Sequence, residues 1–399
     1  MRASAVLAAA LGLALSGCAI AAPSATSTGA TLLPPPGFTA AVKERKGGGG
    51  DDDGECAKAP KPFTADLAFP SKYEGSDAAR DDLNLKAEAQ YEAQIAEIRE
   101  LERHVSSMTA NYIRSGRVEL LNCTLGWLDT WASAGALLGD AETHTGKSVR
   151  KWALASVASA WIRLKFSTSQ PLAKDPARAG RIEGWLAKVG DKVVQDWRDQ
   201  PLRNLNNHQY WAAWAVMANA IALNRRDFYD WALAQYRTAN KQVDSEGYLP
   251  NELKRDTRAL SYHNYSLGPL TMIAAFAKAN GSDLGDSRDS MQRLSQRVLD
   301  GVDNPKNFEK KAGAKQTREG IDEASKFAWL EAYCWTFSCN TAYQSRMEKL
   351  RPLRTYRLGG DLTELFAGIN TKDKNKEKAK AKASEDSTQS VGPKQTASR

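Results

Sequence analysis

Between residues 60 and 366, apolar side chains recur at helical spacing in one run after another. The runs cover roughly 86–113, 123–138, 147–166, 178–197, 208–223, 226–241, 258–279 and 287–301. Their breaks carry helix punctuation: SGR at 115–117, THTGK at 143–147, DSEGYLP at 244–250 and NGSD at 280–283. No alternating apolar run is long enough to argue for a sheet. Helices joined by short turns must bury their apolar faces on one another, so the pattern predicts an all-α protein of antiparallel helical hairpins. Both a solenoid and a toroid satisfy it, and no exact repeat decides between them.

The remaining segments frame that body. The N-terminus, MRASAVLAAALGLALSGCAIAAP, has a basic residue, a short apolar run and then small residues, which marks residues 1–21 as a signal peptide. Two cleavage readings stand. LSGC at 15–18 resembles a bacterial lipobox, which makes Cys18 the lipidated first residue of the mature chain; AIAAP at 19–23 suits an ordinary cut near Ala21 or Ala22. Either places the protein in the periplasm, the first as a lipoprotein anchored to the outer membrane. Residues 22–59 form an N-terminal segment that contains the Gly/Asp-rich linker KGGGGDDDGE at 46–55. Residues 60–370 form the folded domain, and 371–399 a lysine-rich tail expected to be disordered. The tail carries +4 of the formal charge of +8, so the excess identifies no nucleic-acid partner. Four further cysteines make an even set in an oxidising compartment, and the short spacing in CWTFSC favours Cys334–Cys339, leaving Cys56–Cys123.

Two stretches carry chemistry. In LNNHQYWAAW at 205–214, Asn207 and His208 open a helical run that also holds Trp211. In PNELKRDTRALSYHNY at 250–265, Arg258, Tyr262 and Tyr265 fall at i, i+4 and i+7, sharing a face if the helix is continuous, with Arg255 one turn earlier. Two guanidiniums and two phenols make a poor core stripe and a good anion-binding wall. Glycoside hydrolysis needs two carboxylates, and no convincing pair is visible. Elimination from a uronic acid needs this set instead. Removing the C5 proton builds charge on the adjacent carboxylate, which Arg, Asn and His can neutralise. A tyrosine whose pKa is lowered by nearby arginine can take the proton and protonate the leaving oxygen.

With these stretches, PSKYEGSDAAR at 70–80, HTGKSVRKWAL at 144–154, YRLGG at 356–360 and LLPPPGFTAAVKERKG at 32–47 resemble the mannuronate-specific alginate lyases of polysaccharide lyase family 5. The similarity runs from about 32 to 366 with the motifs in order. The resemblance implies an incomplete (α/α) toroid with a long cleft, acting on alginate as a monomer, with no cofactor and no metal. It puts Asn207, His208, Arg255 and Tyr262 in the catalytic positions. Ser71, Lys72, His144 and Thr145 fall on substrate-binding positions, and Tyr73 on a lid loop. Trp211, Arg258 and Tyr265 join the substrate-binding candidates from the residue pattern.

Stereochemistry then distributes the roles. In β-D-mannuronate the C5 hydrogen and the C4 oxygen lie on one side, so elimination is syn and one residue can be both base and acid. Tyr262 is the expected carrier of both steps, with His208 the alternative base. A secreted protein that binds polyuronate without cleaving it is the rival reading; it would have no use for the acid/base tyrosine.

Overall fold

The structure is a computed structural model that describes residues 30–43, 56–73 and 82–367. The signal peptide, Cys18, the Gly/Asp-rich linker at 46–55, residues 74–80 of the SKYEGSDAAR stretch and the tail at 371–399 lie outside the described residues. The chain separates into two compact units, Met1–Thr31 and Leu32–Arg399, and the helical body belongs to the second.

Twelve α-helices are found among the described residues: α1 (Leu85–Ser115), α2 (Val118–Ser133), α3 (His144–Lys165), α4 (Pro176–Trp197), α5 (Asn207–Leu223), α6 (Arg226–Gln242), α7 (Pro250–Leu253), α8 (Ala259–Ala279), α9 (Ser287–Asp303), α10 (Lys306–Ala312), α11 (Trp329–Phe337) and α12 (Thr341–Leu350). Polar caps fix the ends that the sequence punctuates. Asn84 accepts from the Ala87 amide at the start of α1, which ends at Gly116 with φ 70°. Thr143 caps α3 and Asp175 caps α4 in the same way.

Five helical hairpins form two concentric rows. In the inner row α1 packs on α3, α3 on α5, α5 on α8 and α8 on α11. The outer row contains α2, α4, α6, α9 and α12, each against its hairpin partner or the next hairpin. Among the described residues α11 makes no comparable contact with α1, so the ring stays open: an incomplete (α/α) toroid. Position in the rows explains sequence character. The outer helices α6 and α9 bury one stripe, whereas α5 is buried almost throughout from Asn207 to Ala222. Trp214, Val216, Met217 and Ile221 on α5 have no exposed surface, and each such side chain contributes about 1.5–3 kcal/mol by leaving water.

The folded body reaches back further than helical periodicity indicates. Leu32 and Phe38 are buried, and the Phe38 ring meets Phe276 of α8 edge-on at 5.1 Å. Extended residues 56–73 run beside α2 and α3, accepting the indole N–H groups of Trp127 and Trp131 at Ala57 and Pro60, each at 2.9 Å. Gly146 in the first turn of α3 is pressed against the Leu67 carbonyl, leaving no space for a Cβ. That close approach brings Ser71–Tyr73 to the mouth of α3. One element runs against the all-helical expectation. YRLGG is a small hairpin in which β1 (Arg354–Thr355) pairs antiparallel with β2 (Gly360–Asp361), using positive φ at Gly359 and Gly360. Its turn, Tyr356–Leu358, packs against α1, α3 and α8.

Candidate active site

A cleft of about 460 Å³ opens at the mouth of the inner row. It gathers all twelve catalytic and substrate-binding candidates from the sequence: Ser71, Lys72, Tyr73, His144, Thr145, Asn207, His208, Trp211, Arg255, Arg258, Tyr262 and Tyr265. Six cationic side chains line it (Lys72, Arg99, Arg255, Arg258, Lys326 and Arg357) against two carboxylates, Glu92 and Glu319. Glu92 is held by Arg99 in a bidentate ion pair. The lining therefore suits a polyanion and offers no free pair of carboxylates.

His208 enters from the first turn of α5, where the Asn206 side chain caps its backbone amide at 3.0 Å. The imidazole stacks parallel to Trp197 at 5.9 Å and meets His144 edge-on at 4.4 Å. Its Nδ1 lies 3.1 Å from Ser148 Oγ and 3.0 Å from Lys151 Nζ, both on α3. His144, Ser148 and Lys151 share one face of that helix at i, i+4 and i+7.

Asn207 is wholly buried beside His208 and is held by Glu252 of α7. The Glu252 carboxylate accepts the Asn207 backbone amide and the side-chain Nδ2, the latter at 3.0 and 3.2 Å. Arg255 Nε lies 3.8 Å from the same carboxylate. Burial pushes the Glu252 carboxyl above its ordinary range, against the opposing pull of Arg255 and the Asn207 donors. This corrects one expectation: the Asn207 amide donates to Glu252, and its Oδ1 is a buried atom with no hydrogen-bond partner among the described residues.

Tyr262 sits on the first turn of α8 with both guanidiniums beside it. Arg255 lies 4.9 Å and Arg258 5.8 Å from the ring centre. Arg258 also donates to the Tyr73 hydroxyl at 2.6 Å, which ties the 71–73 segment to the site. The 250–265 stretch is not the continuous helix its spacing suggested. A short 3-10 turn, Asp256–Arg258, separates α7 from α8, yet Arg258, Tyr262 and Tyr265 still line one wall. A second correction concerns acidity. Arginine was expected to lower the Tyr262 pKa, but burial and the neighbouring Tyr73 push it well above the ordinary phenol range, outweighing Arg255 and Arg258. Tyr265 is raised too, by burial, with Arg357 opposing.

Trp211 is buried and lines the cleft with its ring 4.9 Å from Tyr265, whereas Trp214 is a core residue whose indole donates to the Arg357 carbonyl at 2.7 Å. His263 points away: Nε2 accepts from the Leu249 amide, Nδ1 meets the Ala259 carbonyl, and burial pushes its pKa down to about 4. Lys151, Ser148, Glu252 and Arg357 were not singled out from the sequence, although each stands inside a motif that was. Both disulfides form as expected, Cys56–Cys123 and Cys334–Cys339, with Cα separations of 5.3 and 4.7 Å.

The family model described as alginate lyase matches residues 68–308. An alginate lyase of Azotobacter vinelandii is 55% identical over 313 residues, covering 78% of this chain and 84% of that protein. One from Pseudomonas aeruginosa is 48% identical over 315 residues, covering 79% and 86%. Among solved structures, alginate lyase A1-III from Sphingomonas species A1 superposes with a TM-score of 0.64 at 23% identity, over 82% of this chain and 89% of that one. A complex of A1-III with a tetrasaccharide gives 0.66 at 23% identity, over 80% and 87%. The structural likeness is one of fold, while the family model spans helices α1 to α9. The chain belongs to the alginate lyase family.

Proposed function

We propose that this protein is an alginate lyase that cleaves poly-β-D-mannuronate by syn β-elimination. The observation that carries the reading is the convergence of Arg255, His208, Asn207 and Tyr262 on one cationic cleft without a free carboxylate pair. In the proposed step Arg255 and His208 bind the carboxylate of the reacting uronate and neutralise the charge that grows on it as C5 loses its proton. Asn207, fixed by Glu252, anchors the first turn of α5 and so holds His208 beside it in place. Tyr262 as phenolate takes the C5 proton, the C4–O bond breaks as the C4–C5 double bond forms, and the same phenol returns the proton to the departing oxygen. One product gains a hydroxyl at its reducing end; the other begins with an unsaturated 4-deoxy uronate. Lys72, Tyr73, His144 and Thr145 at the mouth, with Trp211, Arg258 and Tyr265 on the wall, hold neighbouring sugars.

Adding pure poly-mannuronate should produce the ultraviolet absorbance of the unsaturated uronate. Saturable polymer binding without that absorbance would instead establish the non-catalytic binding reading.

We further propose, from LSGC, that Cys18 is diacylated and holds the mature protein on the outer membrane, since two acyl chains anchor stably where one does not. Recovery of a soluble periplasmic protein beginning at Ala22 or Pro23 would overturn this. No helix among the described residues is long and apolar enough to cross a membrane.

A further inference from the structure

Lys151 poses a problem that the reaction as drawn leaves unanswered. It has no exposed surface, and among the described residues no carboxylate lies within ion-pair distance of it. Its Nζ sits 3.6 Å from the centre of the Trp197 ring and 5.3 Å from that of Trp152, 3.3 Å from Ser148 Oγ and 3.0 Å from His208 Nδ1. A buried amine without a counter-charge is costly to keep unless it is used.

We propose that Lys151 is a positioning residue: its N–H donates to Nδ1 of His208, which keeps the imidazole proton on Nε2 and makes His208 a hydrogen-bond donor to the substrate carboxylate. The proposal rests on the lyase reading above and deepens it, because it assigns His208 to charge neutralisation and leaves proton abstraction to Tyr262. Hydrogen-bond accounting around Nδ1 supports it. Ser148 Oγ donates to the His144 carbonyl at 2.9 Å, so that hydroxyl has no second proton to offer and can only accept. Lys151 is then the donor at hand for Nδ1, and it also donates to Ser148 Oγ. Trp197 braces the arrangement on both sides, stacked on the imidazole and lying beneath the ammonium. Burial first, and then the charge of Arg357, hold the Lys151 amine well below its ordinary range, with Asp196 opposing. The function survives either protonation state, since a neutral amine still carries N–H donors. A ring whose Nδ1 is occupied in this way is oriented as well as fixed in tautomer.

The test uses the whole protein, whose four histidines make ring-nitrogen NMR tractable. The His208 signals are assigned by their loss in His208→Ala. In the wild type the spectrum should show an unprotonated Nδ1 and a protonated Nε2. Lys151→Met, which keeps the stem and removes the donor, should mix the tautomers. It should also lower kcat on poly-mannuronate about 10–100-fold, the usual scale for losing an outer-shell partner, with KM nearly unchanged. Lys151→Gln, which keeps an N–H, should recover much of both. A protonated Nδ1 in the wild type overturns the proposal, as does a Lys151→Met enzyme with unaltered tautomer and kcat. If Lys151→Met does not fold, the wild-type spectrum and Lys151→Gln still decide. A wild type without turnover would end the lyase reading, and the tautomer measurement would still decide this one.

Discussion

At the residue scale, the decisive feature is that Tyr262 rests as a phenol. Burial and Tyr73 outweigh two nearby guanidiniums, so the base form is scarce at neutral pH. The sign of the pH effect follows. In the proposed step the required species is the phenolate, and below a raised pKa its fraction grows about tenfold per pH unit, so kcat/KM on poly-mannuronate should still be climbing from pH 7 to pH 9. Steady-state rates across that range check the direction. Substitutions separate Tyr262 from His208 as the base. Tyr262→Phe should abolish turnover while leaving polymer binding nearly intact, a loss confined to the transition state. His208→Ala should cost roughly 10²–10³ in rate, the scale of a lost oxyanion donor. Retention of more than about a tenth of the rate by Tyr262→Phe, under ~1.4 kcal/mol of barrier, would refute the dual role. The Asn207, His208, Arg255 and Tyr262 set was legible in the sequence because each sits in a short motif rich in unusual polar types. Lys151 and Glu252 were not, since their meaning comes from partners 57 and 45 residues away. The direction of the Tyr262 shift was misread for a related reason: arginine is visible in a sequence and desolvation is not.

At the element scale, the site depends on how helix starts are tied together. The first turn of α5 has its amides satisfied from two sources, Asn206 for His208 and Glu252 of α7 for Asn207. Glu252→Ala would leave a buried backbone N–H and a buried amide without an acceptor. Chemical denaturation should then show a loss of about 1–3 kcal/mol, with activity reduced because Asn207 is released. An unchanged midpoint and full activity would show that α5 needs no such tie. The Cys56–Cys123 bridge closes 67 residues and fastens the 56–73 segment to α2. Replacing that pair with serine should cost about 4 kcal/mol on the loop-entropy model, against about 2 for the Cys334–Cys339 pair. Equal effects in thermal melts would contradict that ordering. The eight long helices were legible because each has 16 residues or more, over which 3.6-residue periodicity averages out exceptions. The short α10, α11 and α12 and the two-residue strands at 354–355 and 360–361 offer too few repeats, and their form is set by packing against the longer helices and one another.

At the scale of the whole molecule, an open ring of hairpins creates a cleft rather than a closed cavity, as an enzyme needs when its substrate is a polymer. Arg99, Arg357 and Lys72 on the lining are already paired with Glu92, Glu102 and Glu88, so the attraction for a polyuronate rests on Arg255 and Arg258 beside Tyr262, and it should be felt mainly at low salt. The remaining question is which uronate the geometry serves. Tyr262 presents a single phenol from one wall, enough for a proton and a leaving oxygen on the same side of the ring, as in β-D-mannuronate. In α-L-guluronate the two lie on opposite sides and require two groups. The direct measurement is the initial rate of unsaturated-product formation on pure poly-mannuronate and pure poly-guluronate under identical conditions. One-sided elimination at Tyr262 predicts rapid cleavage of poly-mannuronate and at least about a tenfold lower rate on poly-guluronate, a barrier difference of ~1.4 kcal/mol or more. Equal rates, or a preference for guluronate, would contradict it.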